Sequence, residues 1–432
     1  MGAPLKHGWI GPRRFLHLLG PGLITGAADD DPSGIATYSQ TGAQFGFQLL
    51  WTMFLTLPFM VAIQIISACI GWQTGQGLSR NIAHRLPRVV LLVCIGALAV
   101  ANTINIAADL AAMADGLRLV IHGPSLAYAA GFGIVCLIAE VFVPYHRYAR
   151  YLKFLTLVLF VYVAAAFSVH VDWGQVARST FLPTFSFRND YLLTIVAVFG
   201  TTISPYLFFW QASQEAEESA LSHRKETGLG HYSARAFRHI SYDTWTGMLT
   251  SNIIGFFIIV TTGATLHQQG VTNIQTAAQA AEALRPIAGE LTFALFAGGI
   301  IGTGLLAVPV LAGSAAYAVS EAFGIGGSLE LPARRALGFY GIISAATLGG
   351  LILVAAKFDP IAMLFWTAVI NGIVAVPIMA VMMLVVSGKA AGGKHGGQAI
   401  VLPRWLRILG WLGALMMAVT VGALLWTSLP GL

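Results

Sequence analysis

The sequence predicts an all-α integral membrane protein with eleven transmembrane helices: two five-helix repeats, the first helix of each broken, plus one extra helix. Three observations carry this reading. Only 10% of the 432 residues are charged and 56% are hydrophobic, with a mean hydropathy of +0.75; soluble domains carry roughly 25% charged residues. Apolar runs recur along the whole chain, each long enough for a bilayer core of ~30 Å, which needs about 20 helical residues. Two of these runs, the first and the sixth, are interrupted by proline beside polar residues.

The first span, 15–46, follows Lys6, Arg13 and Arg14 and leads into Asp29-Asp30-Asp31-Pro32-Ser33-Gly34 rather than into a signal-peptide cleavage site. Pro32 has no amide hydrogen and disfavours helical geometry at Asp31, so two half-helices with exposed backbone groups are expected. Apolar spans follow at 48–70, 89–120, 124–143 and 151–170. The sixth, 190–218, is interrupted at Pro205 within "GTTISPYL". The remaining spans are 243–266, 288–323, 336–355, 359–386 and 405–428, giving repeats at about 15–170 and 190–386 within a single transmembrane domain over 1–432.

The charge distribution tests this count. With the N-terminus inside, every Lys and Arg except Arg118, Arg178, Arg188, Arg285 and Lys357 falls in a cytoplasmic segment, as the positive-inside rule requires. The chain is thus expected in the cell (inner) membrane with its C-terminus outside and the lipid bilayer as its surroundings. The net charge of +6 reflects this topology; basic residues are dispersed in short loops, which excludes a nucleic-acid partner. Protein partners are not legible.

The loops include polar Ser219–Tyr242, the external stretches 171–190 and 267–289, and a Gly-rich linker at 388–398. None accommodates a soluble domain, and no G-x-x-x-x-G-K-[ST] sequence occurs, so ATP hydrolysis has no site. Cys69, Cys94 and Cys136 sit in apolar runs without metal-ligand spacing. His146, His170, His231, His239 and His267 fall at span ends or in loops and read as solvated. Trp51, Trp173 and Trp405 fall where an interfacial aromatic belt would place them. No nucleophile–base pair points to an enzyme, and no resident cofactor is expected.

Interrupted helices at corresponding positions are the best sequence pointer to a transporter's binding site; ordinary proline kinks are the alternative. A mid-membrane carboxylate costs about 2.5–3.5 kcal/mol on insertion scales, so Asp31, at the first break, is expected to bind a cation. Asp29 and Asp30 read either as caps of a half-helix or as lining the transport path. Gln211, Gln214, Glu215, Glu217 and Glu218 follow the second break. Gln211, Glu215 and Glu218 share a helix face, as an inner exit or as a solvated helix end facing Arg224 and Lys225. Asn371, in the tenth span, reads as a path residue or as a helix-packing hydrogen bond.

Together these residues resemble the NRAMP family of divalent-metal transporters. "GPGLITGAADDDPSG" is similar to the family's first-helix segment ending in Asp-Pro-Gly-Asn, and "GTTISPYL" to its sixth-helix Ala-Thr-Ile-Met-Pro-His. The resemblance implies a LeuT-like fold of inverted repeats. It places Asp31 at the family's metal-binding Asp and Thr201 at the residue supplying a backbone carbonyl. Gly34 stands where Asn is expected, Ser204 where Met is expected, and Tyr206 in place of His. Loss of the soft thioether leaves a hard oxygen set suited to Mg²⁺ or Mn²⁺, similar to the NRAMP-related magnesium transporter branch.

The resemblance also bears on coupling. Asp109 looks like one of the family's third-helix acids, with Ala112 where a second would be, and Tyr206 cannot take up a proton near neutral pH; Asp109 reads equally as an ion-pair partner of Arg334 or Arg335. The expected activity is import of Mg²⁺, and also Mn²⁺, by alternating access without tight proton coupling, at a site made by Asp31, Thr201, Ser204 and the backbone near Ala28 and Gly34. The rivals are a proton-coupled Mn²⁺/Fe²⁺ importer and a Na⁺-coupled organic-solute symporter. In the latter, Asp31 would repel a substrate carboxylate.

Overall fold

The protein was analysed as a computed structural model, which describes residues 21–143, 156–223, 234–356, 358–388 and 400–428. The start of the first span, residues 151–155 of the fifth, most of the 388–398 linker and His146 and His231 lie outside these residues. So do Lys6, Arg13, Arg14, Arg147, Arg150, Lys153, Arg224, Lys225, Lys357, Lys389 and Lys394.

The described parts of the apolar runs are largely helical. The first described elements are α1 (Pro21–Asp29) and α2 (Pro32–Phe45), then α3 (Leu50–Thr74), α4 (Leu78–Arg85), α5 (Arg88–Arg118) and α6 (Ser125–Phe142). There follow α7 (Phe160–Ser168), α8 (Trp173–Phe181), α9 (Asn189–Thr202), α10 (Pro205–His223) and α11 (Ala234–Thr262). Short helices α12 (Ala277–Glu282) and α13 (Arg285–Ala288) lead to α14 (Thr292–Phe323), α15 (Leu337–Ala355), α16 (Pro360–Ser387) and α17 (Arg404–Thr427).

Among the described residues nine helices are long and apolar enough to cross a membrane, or ten if the pair Leu157–Ser168 and Trp173–Phe181, bent by 118°, is one span. Pro21–Phe45 is not among them, because every window long enough to span includes all three aspartates. Large apolar side chains such as Phe142 and Ile352 are exposed on the outside of the bundle, as a lipid-facing surface requires.

Both broken helices end where the sequence places their prolines. Asp31, in extended backbone at φ −71° and ψ 169°, is the N-cap of α2, with Pro32 in the first turn. Pro205 starts α10 after the break at Ile203–Ser204. Small residues bring the broken helices against their neighbours, as in other membrane bundles. Gly26 of α1 lies against the backbone of Gly247 in α11, Gly200 of α9 against Ala368 and Gly372 of α16, and Gly71 of α3 against Ala212 of α10.

Several boundaries differ from the sequence expectation. The 171–190 stretch contains α8, capped by Asp172, whose side chain accepts from the Gln175 amide at 3.0 Å. Helix α11 starts at Ala234 inside the expected polar loop, and α4 lies between the second and third spans. These segments are polar or amphipathic and give no long apolar run. Trp51 is 6% exposed and donates to the Tyr191 hydroxyl at 3.3 Å, so it is a packed side chain, unlike Trp173 and Trp405, which are exposed. His267 is half-buried, its Nδ1 2.8 Å from the Ala43 carbonyl. The three cysteines are free and buried.

Candidate functional site

Each proline break removes a backbone donor, and a side chain replaces it. Pro32 cannot bond to the Ala28 carbonyl four residues earlier; the Tyr206 hydroxyl donates to that oxygen instead, at 2.9 Å. Pro205 likewise leaves the Thr201 carbonyl without an amide, and Ser204 Oγ donates to the carbonyls of Thr201 and Gly200, each at 2.9 Å. Freed backbone groups at membrane depth must be satisfied in such ways.

Asp31 sits between the breaks, 2% exposed. Its Oδ1 accepts from Ser33 Oγ and from the Gly34 amide, both at 2.7 Å. Its Oδ2 accepts from Asn105 Nδ2, on α5, at 3.4 Å. Cap geometry and the positive end of α2 favour negative charge on this carboxylate. Gly34, lacking a Cβ, lets polar groups come close to it. A Cβ there would lie 3.1 Å from Thr201 Oγ1, 3.4 Å from the Asp29 carbonyl oxygen and 3.5 Å from Asp31 Oδ1. Apart from the chain neighbours of Gly34 and the backbone of its own helix, the three heavy atoms nearest this point are all oxygens. Thr201 Oγ1 and the Tyr38 hydroxyl are both buried and make no hydrogen bond of good geometry among the described residues.

The other aspartates are held by α11. Ser251 Oγ lies 2.7 Å from Asp29 Oδ2 and 2.9 Å from Asp30 Oδ1, donating its one proton between them. Asp243 accepts the Gly22 amide at 2.7 Å, fixing the start of α1.

The structure brings together Asp31, Gly34 and Thr201, with Ser204 one turn on and Tyr206 against Ala28. The Ala28 carbonyl accepts the Tyr206 hydroxyl, and the Asp29 carbonyl faces Gly34. The Thr201 carbonyl accepts Ser204 Oγ, and the Thr201 hydroxyl is turned toward Gly34.

Residues further from the breaks also depart from the sequence reading. Asp109 is fully buried and makes no hydrogen bond through either oxygen. Arg334 and Arg335 are exposed in a short turn, so no ion pair with Asp109 forms. Asn371 is buried with both side-chain polar atoms unpartnered, so it supplies no helix-packing hydrogen bond. Gln211 donates to Thr244 Oγ1 at 3.0 Å. Glu215 is buried while Glu218 is exposed, so the expected common solvated face is divided. Asn105, Ser251 and Asp243 went unrecognised in the sequence. Asn105 had a signal: it lies four residues before Asp109 on an otherwise apolar helix, hence on the same face.

A cavity of about 580 Å³ opens beside α2 and the first turns of α9 and α16, lined by Ala36, Gln40, Asp190, Thr194, Asp359 and Trp366 among others. Asp190 is paired with Arg188 at 2.6 Å; Asp359 caps α16, accepting the amides of Ile361 and Ala362. Among the described residues no cluster of three or more His, Cys, Asp or Glu is placed to hold a metal ion. The site is therefore one carboxylate with neutral oxygens around it.

A multi-pass bundle with two broken helices meeting at a buried carboxylate is the architecture of a membrane transporter. Residues 22–427 match the model of the "Natural resistance-associated macrophage protein-like" family, and the chain belongs to that family. It is 28% identical over 298 residues to the divalent metal cation transporter MntH of Yersinia pestis (strain Pestoides F), covering 67% of this chain and 69% of the relative. The Eremococcus coleocola manganese transporter, crystallised with an aromatic bis-isothiourea compound, superposes with a TM-score of 0.71 at 16% identity, covering 97% of this chain and 88% of that one. Mhp1, a nucleobase-cation-symport-1 family transporter in a closed conformation, superposes at 0.58 with 13% identity, covering 96% and 93%. These relatives are transporters, not enzymes.

Proposed function

We propose that this chain is a secondary transporter that imports divalent cations, Mg²⁺ by preference and Mn²⁺ as well, by alternating access without tight proton coupling. The observation that carries the reading is the oxygen-lined space at Gly34, bounded by Asp31 Oδ1, the Asp29 carbonyl and Thr201 Oγ1. It lies between the negative end of half-helix α1 and the Asp31 carboxylate, and both favour a cation. All three groups are hard ligands, and one anchoring carboxylate suits an ion that keeps several waters. Ser204 carries no sulfur and has its proton committed to the backbone.

The reading includes a LeuT-like arrangement of two inverted five-helix repeats and an eleventh helix, α17, in the inner membrane, with the N-terminus cytoplasmic and the C-terminus outside. Packing supports the repeats: the first broken helix packs against α11, and the half-helix α10 against α3, the second span of the first repeat. The cavity beside α2 then faces outside, and Asp30, Asp109, Tyr206, Gln211 and Asn371 line the path. Uptake driven by the membrane potential gains about 2.3 kcal/mol per unit charge per 100 mV.

One observation favours a second reading, a proton-coupled Mn²⁺/Fe²⁺ importer: the fully buried Asp109, with neither oxygen hydrogen-bonded, alongside relatives described as divalent-metal and manganese transporters. Proteoliposome uptake of Mg²⁺ and Mn²⁺, with and without a negative-inside potential and with internal pH recorded, decides between them. Mg²⁺ entry that follows the potential, leaves internal pH unchanged and disappears in Asp31→Ala supports the first. Uptake of Mn²⁺ alone with internal acidification supports the second.

A further inference from the structure

Asn105 is an expensive residue where it stands. It is fully buried in the middle of α5, and an amide carries two donor hydrogens and an acceptor oxygen. The structure gives it one contact, Nδ2 to Asp31 Oδ2 at 3.4 Å, and leaves Oδ1 with no partner. A buried, half-satisfied amide costs more than an apolar side chain of the same size, so helix packing alone does not account for it. Among the described residues that contact is also the only hydrogen bond to Asp31 Oδ2, since Ser33 and Gly34 both bond to Oδ1.

We propose that Asn105 is a cation-binding, specificity-determining residue, its amide donating to Asp31 when the site is empty and turning its oxygen toward the cation or its water shell when the site is filled. The proposal rests on the reading of Asp31 as the cation site. The two ends of an amide have nearly the same shape, so a half-turn of the side chain exchanges donor for acceptor without disturbing the packing of α5. The chain has no side chain at Gly34, and an amide reaching in from α5 supplies a neutral oxygen from another helix. Asn102, three residues earlier, is likewise buried with its Oδ1 unpartnered, but its Nδ2 donates to the Leu311 carbonyl at 2.9 Å and not to Asp31.

The test uses the purified full chain, with Mg²⁺ and Mn²⁺ each titrated calorimetrically into wild type, Asn105→Leu, Asn105→Asp and Asp31→Ala. Thermal melting with and without cation accompanies the titrations. The expected result is that Asn105→Leu loses about ten-fold or more in Mg²⁺ affinity, with a smaller loss for Mn²⁺, while its cation-free melting temperature is equal to or above wild type. Asn105→Asp, which restores an oxygen, recovers binding. If Asn105→Leu does not yield folded protein, Asn105→Ala carries the same comparison. Wild-type affinities in the Asn105 variants, with binding lost in Asp31→Ala, overturn the role of Asn105 and leave the cation site standing. Wild-type affinity in Asp31→Ala overturns the site itself.

Discussion

Tyr206 holds Ala28: the hydroxyl at the start of α10 donates to the carbonyl that Pro32 leaves unpaired near the end of α1, at 2.9 Å. The bond crosses from one broken helix to the other, so its energy belongs to their relative arrangement and not to either helix. In Tyr206→Phe the Ala28 carbonyl is left buried without a donor, at a cost of about 1–3 kcal/mol. The variant is expected to melt at lower temperature in detergent. Its maximal uptake rate should change more than its apparent cation affinity, because the ring contributes no atom to the Gly34 space. Melting and uptake both equal to wild type would remove this bond from the account.

Gly34 is the second place where a single atom decides the outcome. A Cβ there meets Thr201 Oγ1 at 3.1 Å, so Gly34→Ala fits only if Thr201 yields slightly, and the added methyl occupies the oxygen-lined space. Gly34→Ala is expected to lower Mg²⁺ uptake more than Mn²⁺ uptake, since an ion carrying more water needs more room. Gly34→Asn adds an amide ligand as well as bulk and should shift selectivity further toward Mn²⁺. Competition of each cation against the other in liposome uptake reads the ratio directly. A variant that leaves the Mg²⁺ to Mn²⁺ ratio unchanged would show that the space is not part of the cation's path.

The breaks themselves are legible in the sequence because their cause is local: a proline removes one amide, and the residues around it are polar. What mends each break was not read from the sequence: Ser204, three residues from the Thr201 carbonyl it bonds, was expected only as a cation-site residue. Tyr206 lies 178 positions from Ala28, and Asn105 lies 74 from Asp31, and no periodicity links such pairs. Glu215 reads as part of a solvated helix end because its neighbours are charged; packing of α10 against α3 and α14 buries it instead. Apolar length located the long spans, while α4, α8 and the first turns of α11 escaped because amphipathic or polar helices lack such a run.

Ser251 donates toward both Asp29 and Asp30, at 2.7 and 2.9 Å. Ser251→Ala removes the donor that two adjacent buried carboxylates share. The expected loss is about 1–3 kcal/mol, seen as a lower melting temperature. Ser251→Thr keeps the hydroxyl and should restore most of it. An alanine variant as stable as wild type would mean that water replaces the serine.

The crossing of α1 and α11 leaves no room for a side chain at Gly26, whose Cβ would fall on the backbone of Gly247. Backbone cannot move aside as a flexible side-chain tip can, so Gly26→Leu is expected to push α1 off α11 and carry Asp29, Asp30 and Asp31 with it. The outcome should be poor recovery of monodisperse protein and no uptake. Gly298→Leu, on α14 where a Cβ meets nothing within 4 Å, serves as the control and should behave as wild type.

Gln40 ties the segment after α11 to α2 at the edge of the cavity. Its Nε2 donates to the Thr272 carbonyl at 3.2 Å and its Oε1 accepts the Ile274 amide at 2.9 Å, so one side chain satisfies two backbone groups of the 272–274 stretch. Gln40→Ala releases both, each hydrogen bond contributing about 0.5–1.5 kcal/mol. The Ile274 amide should then exchange its hydrogen faster by roughly a factor of ten for each 1.4 kcal/mol lost. Because Gln40 lies one and a half turns beyond Gly34 on the same helix, releasing the segment frees α2 to move relative to α9 and α16. Faster exchange at Ile274 with an altered uptake rate and an unchanged cation affinity would identify this contact as one that opens and closes with the cavity. Faster exchange with wild-type uptake would restrict it to holding the loop.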